Sequence, residues 1–432
     1  MQHFKDVHFF HTPSQGNIYT IVELPMTSGS TKLLVASLKR EIYCFEFQES
    51  PSGSLIPSCK EVSFTYIPNG AEIISMDAFN KNNNSNEFII GITIIKNSND
   101  SEGRLENYLN IYSGEDTEEF NIESVAQSCL NVELNFIPYK LLHTYLVTWN
   151  DELLNKEVVF VLSGSDNQVH VYKENMADHI YKELDNLEYF PEFTKTPSPV
   201  IWIDIYYSPD YSERVTSFAC ECGYVKLLKV DVRSNKVIYN FSTRFGNYIS
   251  RVYISPENDV PEDKLFKKNL TFTDIMRQRR TERSTSSKRL NLIVINTILP
   301  SVIFHDILKY GLSKYSTLPR INTTNISTTC EVADIDFDGE KEILIGTSSE
   351  EIMVYKRDSE KVWWLEEVKK MTSPILGIKC VDVTGDGVKD LVILSMKGVQ
   401  VLQYEQGYLQ RILNSKIENI TVPDVSELNI KK

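Results

Sequence analysis

Long apolar runs are missing from this sequence. None of its 432 residues fall in a stretch approaching the ~18 consecutive apolar positions of a membrane-spanning helix, so no transmembrane segment is expected. The N-terminus, MQHFKDVHFFHT, lacks a basic start followed by an apolar stretch, so no signal peptide is expected either. The seven cysteines are scattered, form no CxxC pair and have no histidine at ligand spacing, which argues against a disulfide framework or a zinc site and for reduced thiols. Basic residues are in deficit: 45 Lys and Arg against 59 Asp and Glu give a net charge of −14, which argues against broad nucleic-acid binding. Histidines are few and never fall in HExxH or HxH. No GxSxG elbow, P-loop or GxGxxG follows an apolar strand, so catalysis finds no support and no catalytic residue is named.

What the sequence does have is β-forming residues in a repeat. Tyr and Phe are abundant while Gly and Pro are modest, which suits strands. Residues 331–357 read EVADIDFDGEKEILIGTSSEEIMVYKR and residues 377–404 read GIKCVDVTGDGVKDLVILSMKGVQVLQY. Each is an apolar strand, an acidic loop, a second apolar strand, a tight polar turn and an alternating strand. Asp334 and Asp382 open the two loops 48 positions apart, a spacing typical of propeller blades. The strand–turn–strand doublet recurs at 33, 88, 158, 215 and 291, besides 343 and 391, making seven copies at spacings of 48 to 76 residues. Earlier β runs precede the doublets, among them LNVELNF at 130 ahead of the third. Runs such as EVSFTYI at 61, VWWLEEV at 362 and YLQRIL at 408 follow them as fourth strands, with none evident in the fifth copy. The expected fold is all-β: a single seven-bladed β-propeller of four-stranded blades over residues 14–414. A basic, Ser/Thr-rich insert at 255–289 lies within blade 5 as a mobile surface loop, and 415–432 forms a C-terminal tail.

The acidic loops are the site-like chemistry. Asp334, Asp336, Asp338 and Glu342 offer hard oxygen ligands at the spacing of a Ca²⁺ loop, with Gly339 for the sharp turn. In the second loop Asp382, Asp386 and Asp390 repeat the pattern, but neutral Thr384 removes one charge. Two uses stay open: coordination of structural Ca²⁺, the one cofactor the motifs admit, or capping of backbone N–H groups to hold the turn. Trp363 and Trp364 are neighbours on a strand and point to opposite faces, so one enters a blade core and the other reaches the rim as a candidate partner-binding anchor; the alternative is that both are covered by neighbouring blades.

Longer phrases carry a resemblance. TYIPNGAEIISMDAFNK at 65–81, NIESVAQSCLNVELNFIPYKLLH at 121–143 and VFVLSGSDNQVHVYKEN at 159–175 resemble the kaptin family, as do both acidic loops, collinearly over residues 14–405. The resemblance implies an FG-GAP-like propeller and a subunit of the KICSTOR complex. It also implies partnership with a second FG-GAP propeller subunit and a large scaffold subunit, and indirect contact with the GATOR-type GTPase-activating complex for Rag GTPases. The implied place is cytoplasmic and peripheral at the lysosomal membrane, and the implied role is negative regulation of TOR complex 1 on nutrient deprivation. Association with F-actin, at actin-rich cell edges, is the alternative the same resemblance implies.

Overall fold

Each doublet consists of β-branched and aromatic runs around a polar turn, and each folds as a hairpin inside a larger sheet. The structure, a computed structural model, describes residues 1–432 except 2, 27–28, 51–52, 54, 82–86, 99–103, 116–121, 151–152, 176, 258–288, 321–324, 359–360 and 419–432. Among the described residues the strands form seven four-stranded antiparallel sheets, and the sheets are the blades of a seven-bladed β-propeller. Blade 1 runs Ile21–Pro25, Thr31–Ala36, Ile42–Glu49 and Leu55–Val62, and blade 2 runs Glu72–Asn80, Glu87–Asn97, Leu105–Glu115 and Cys129–Leu134. Pro138–Asn150, Leu153–Gly164, Val169–Asn175 and Ile180–Glu183 make blade 3; Val200–Tyr207, Glu213–Cys220, Tyr224–Asp231 and Lys236–Arg244 make blade 4. Blade 5 is Ile249–Pro256, Leu290–Asn296, Val302–Phe304 and Tyr315–Thr317, and blade 6 is Ser327–Ala333, Glu342–Thr347, Glu351–Arg357 and Trp363–Lys370.

Blade 7 closes the ring. Ile375–Val381, Asp390–Ser395 and Gly398–Tyr404 receive Phe4–His11 as their outer strand, in a register that sets Phe4 opposite Tyr404 and His11 opposite Gly398. The segment expected as that outer strand, from 408, is instead part of a helix, Gln406–Glu418. Tyr408, Leu409 and Ile412 recur at helical spacing and pack on the apolar seam between blades 6 and 7. The sheet thus begins at Phe4, ahead of residue 14. Three further strands differ from expectation. The outer strand of blade 1 is Leu55–Val62, so the run expected from 61 leaves the sheet after Val62. Cys129–Leu134 is the outer strand of blade 2 rather than the first of blade 3, and its largely exposed pattern fits an outer position. Blade 5 does have a fourth strand, the three-residue Tyr315–Thr317. Most of the 255–289 insert and of the tail lies outside the described residues.

The core is a ring of seams, one between each blade and the next. Leu34 and Ile42 of blade 1 meet Ile73 and Ile90 of blade 2, and Phe79 and Ile89 of blade 2 meet Leu141 and Phe160 of blade 3. Gly91 permits that second approach, since a Cβ there would stand 2.7 Å from the Phe160 ring. The same pattern joins blades 3 to 4, 4 to 5, 5 to 6 and 6 to 7. The last seam brings Val392 and Val401 of blade 7 onto Leu33 and Val35 of blade 1. Each fully buried aliphatic side chain contributes about 1.5–3 kcal/mol, so stability is spread round the ring and depends on its closure.

Candidate functional site

Both acidic loops join the first and second strands of their blades. In blade 6 the chain leaves Ala333, turns through Phe337 (φ 62°) and Gly339 (φ 86°), and re-enters the sheet at Glu342. This turn gathers the acids. Asp334, Asp336 and Asp338 each place a carboxylate oxygen within 4.8 Å of the others. Glu342 is buried beside them, and its Oε2 accepts from the Ile335 N–H at 2.9 Å. Asp336 Oδ1 accepts from the Asp338 N–H at 3.1 Å, and Asp338 Oδ1 from the Glu340 N–H at 2.7 Å.

A cation already stands among these acids. Lys356, on the third strand of blade 6, directs its ammonium onto Asp336, lies 2.9 Å from Asp338 Oδ2 and 3.6 Å from Glu342 Oε1. Its pKa is raised: burial opposes the charge, but the hydrogen bonds of Asp336 and Asp338, with the charge of Asp336 and a smaller contribution from Glu342, outweigh that opposition. Burial, with Asp336 adding repulsion, pushes the Glu342 carboxyl up to about 8, so Lys356 is held mainly by the two aspartates. A divalent ion would have to displace the ammonium.

Blade 7 is built differently. Asp382 Oδ1 accepts from the Gly385 N–H at 2.7 Å and its Oδ2 from the Gly387 N–H at 2.8 Å, while Asp386 Oδ1 accepts from the Val388 N–H at 2.8 Å. Thr384 turns its hydroxyl toward Asp382 Oδ1 at 3.4 Å. Buried Asp390 accepts from the Val383 N–H at 3.3 Å, and burial pushes its carboxyl up to about 8. Leu391 pairs with Leu402 as Ile343 pairs with Tyr355, so the residue equivalent to Lys356 is neutral Gln403. Its side chain lies beside Asp390 and slightly offsets the rise in that carboxyl's pKa. These contacts cap the turn.

The tryptophans lie apart from the loops, at the start of the outer strand of blade 6. Trp363 is half-buried against the seam between blades 5 and 6, with the Arg357 guanidinium 5.9 Å from its ring. Trp364 faces outward, 44% exposed. Val362 and Val368 are exposed beside it.

Two features carry no signal in the sequence. Lys356 reads there as the ordinary charged end of an alternating strand. Arg214 and Glu192 are both buried and bonded bidentately, Nε to Oε1 at 2.6 Å and Nη2 to Oε2 at 2.8 Å, with Thr216 donating to Oε1 at 3.0 Å. The pair ties the link between blades 3 and 4 to the second strand of blade 4, which spacing along the chain does not reveal.

Comparison with known proteins adds a family. The model of the family described as KICSTOR complex protein kaptin matches residues 4–414. The mouse (Mus musculus) KICSTOR complex protein kaptin is 33% identical over 404 residues, spanning 92% of this chain and 87% of its own length. Among solved structures, the Dos1 propeller is similar at a TM-score of 0.49 and 10% identity, covering 93% of this chain and 96% of its own. The Cps50 (Swd1) propeller domain of Myceliophteria thermophila is similar at 0.48 and 9%, covering 92% and 100%.

Proposed function

The chain belongs to the kaptin family of KICSTOR complex proteins, and from that premise we propose that it is a non-catalytic adaptor subunit of a KICSTOR-like complex. In this reading it helps bring the GATOR-type Rag GTPase-activating complex to the lysosomal surface, and so silences TOR complex 1 when nutrients run out. The observation that carries the reading is coincidence of extent. The family match, 4–414, takes in all seven blades together with the strand that closes them.

A closed ring supports such a role physically. Its surface is ordered before docking, so binding loses little conformational freedom. The outer strands offer apolar anchors: Val237, Ile238 and Phe241 on blade 4, and Trp364 and Val368 on blade 6, are all exposed. The partners are a second FG-GAP propeller subunit and a large scaffold subunit, met on the cytoplasmic face of the lysosome. Cells lacking this chain test the role. On amino-acid or glucose withdrawal, phosphorylation of TOR complex 1 substrates should persist. Full silencing in those cells would contradict the reading.

A further inference from the structure

The first strands of the blades surround the axis of the ring and carry an unusual set of charges. Glu23, Asp77, Lys140, Asp204, Arg251, Glu331 and Lys379 come one from each blade, 1 to 7 in order. A cavity of about 630 Å³ opens on the strands of blades 1, 2, 3 and 7, with Glu23, Asp77, Lys140, His143 and Lys379 in its wall.

Each carboxylate of this set is engaged. Glu23 pairs with Lys379 at 3.0 Å, Asp77 with His143 at 2.7 Å, and Glu331 with Arg251 at 3.8 Å. Asp204 accepts from the Ile254 N–H at 2.5 Å and the Ile205 N–H at 3.1 Å. Lys140 is left over. Among the described residues no carboxylate lies within 4 Å of its ammonium, which rests 4.9 Å from the Trp202 ring and 5.5 Å from the Tyr19 ring. Arg251 sits against the same indole, 4.7 Å from its centre. Cations from blades 3 and 5 thus flank one aromatic plate, and Lys379 enters the same cavity as Lys140.

We infer that the axial cavity binds a small phosphate-bearing anion, with Lys140 as its principal contact and Lys379 beside it. A tetrahedral oxyanion can accept hydrogen bonds from several directions at once, which suits cations arriving from separate blades. Ring aromatics alone satisfy an ammonium poorly, so an incoming anion supplies what Lys140 lacks. The electrostatics agree: burial pushes the Lys140 pKa down to about 8, Lys379 and Arg251 push the same way, and Asp77 offsets them only in part.

The test uses the full chain and inorganic phosphate, with chloride at matched ionic strength as the reference. Thermal stability should rise with phosphate and saturate. Lys140→Met should weaken the apparent affinity by about tenfold or more, the size of one lost charge-assisted hydrogen bond. Lys195→Met, at an exposed lysine away from the cavity, should leave it unchanged. Should the Lys140 variant fail to fold, reductive methylation of the unaltered protein decides instead: phosphate should protect Lys140 in a saturable way. Equal phosphate response in wild type and Lys140→Met, or methylation of Lys140 indifferent to phosphate, would overturn the inference.

Discussion

Replacing Lys356 by Gln copies the blade 7 arrangement, where Gln403 holds the equivalent place, into blade 6. The substitution strips the ammonium from Asp336, Asp338 and Glu342 and leaves the charges of the two aspartates facing one another beside the raised Glu342 carboxyl. The Lys356 side chain is 19% exposed. Its loss therefore falls between the ~0–1 kcal/mol of a surface pair and the ~3–5 kcal/mol of breaking a buried one, at about 2 kcal/mol. Unfolding entropy of about 2.1 cal/mol/K per residue converts this into a fall in Tm of about 2 °C for a chain of 432 residues. The freed acids then form a Ca²⁺ loop of the weak kind, with Kd of ~10⁻⁴–10⁻³ M. At about 10 mM Ca²⁺ the variant should regain about 1.4–2.7 kcal/mol, a gain of the same size as the loss. The assay is thermal unfolding of both proteins at pH 7, in chelator and in Ca²⁺. The decisive quantity is the Ca²⁺ response of the variant minus that of the wild type, which removes any contribution from blade 7. An equal response in the two proteins would refute the view that Lys356 fills the loop.

Other perturbations follow the same logic. Glu192→Ala strands the Arg214 guanidinium in the core, where it cannot shed its charge, and should cost about 3–5 kcal/mol, seen as a Tm lower by about 3–5 °C. Deleting residues 4–11 opens blade 7 and removes the Phe4–Tyr404 and Phe10–Phe45 ring contacts, at 4.1 and 4.0 Å. Tm should drop by about 5 °C or more, and size-exclusion chromatography should show association through the bared strand edge. His170 gives a pH signature. Burial opposes its charge, but the hydrogen bond and charge of Glu183, with Asp166 behind, outweigh burial and raise its pKa above 6.5. A raised folded-state pKa adds stability that is complete below about 6.5 and disappears as pH climbs through the folded value. The stability gap between wild type and His170→Gln should thus be widest near pH 6 and shrink toward pH 9.

Much of the ring was legible in the sequence because each doublet is local. Two apolar strands and a turn within about 15 residues fix their own pairing, and the period of 2 sets which faces are buried. The acidic loops were equally local, and both occupy the place their spacing implied. The outer strands were harder. FKDVHFFH pairs with residues at 398–404, at the far end of the sequence, and only closure of the ring brings them together. Residues from 408 were read as that strand because their apolar content is right. Their spacing at 408, 409 and 412 favours a helix, and the slot was already filled. LNVELNF at 130 was assigned one blade too late because an outer strand and the next inner strand follow each other closely, and either can carry short apolar runs. Lys356, Lys140 and the Arg214–Glu192 pair were illegible for one shared reason. Their neighbours arrive from other loops, links and blades, and a charge in the sequence looks the same whether it meets water, an aromatic ring or a carboxylate.

The adaptor account is tested most directly by what the intact chain holds in the cell. The full protein should be affinity-purified from nutrient-deprived cells and the stoichiometry of its companions measured. The account predicts two of them in near-equimolar amount, a second FG-GAP propeller subunit and a large scaffold subunit, with the Rag-directed GTPase-activating complex substoichiometric. Recovery of the chain alone, or with actin filaments in their place, would contradict it.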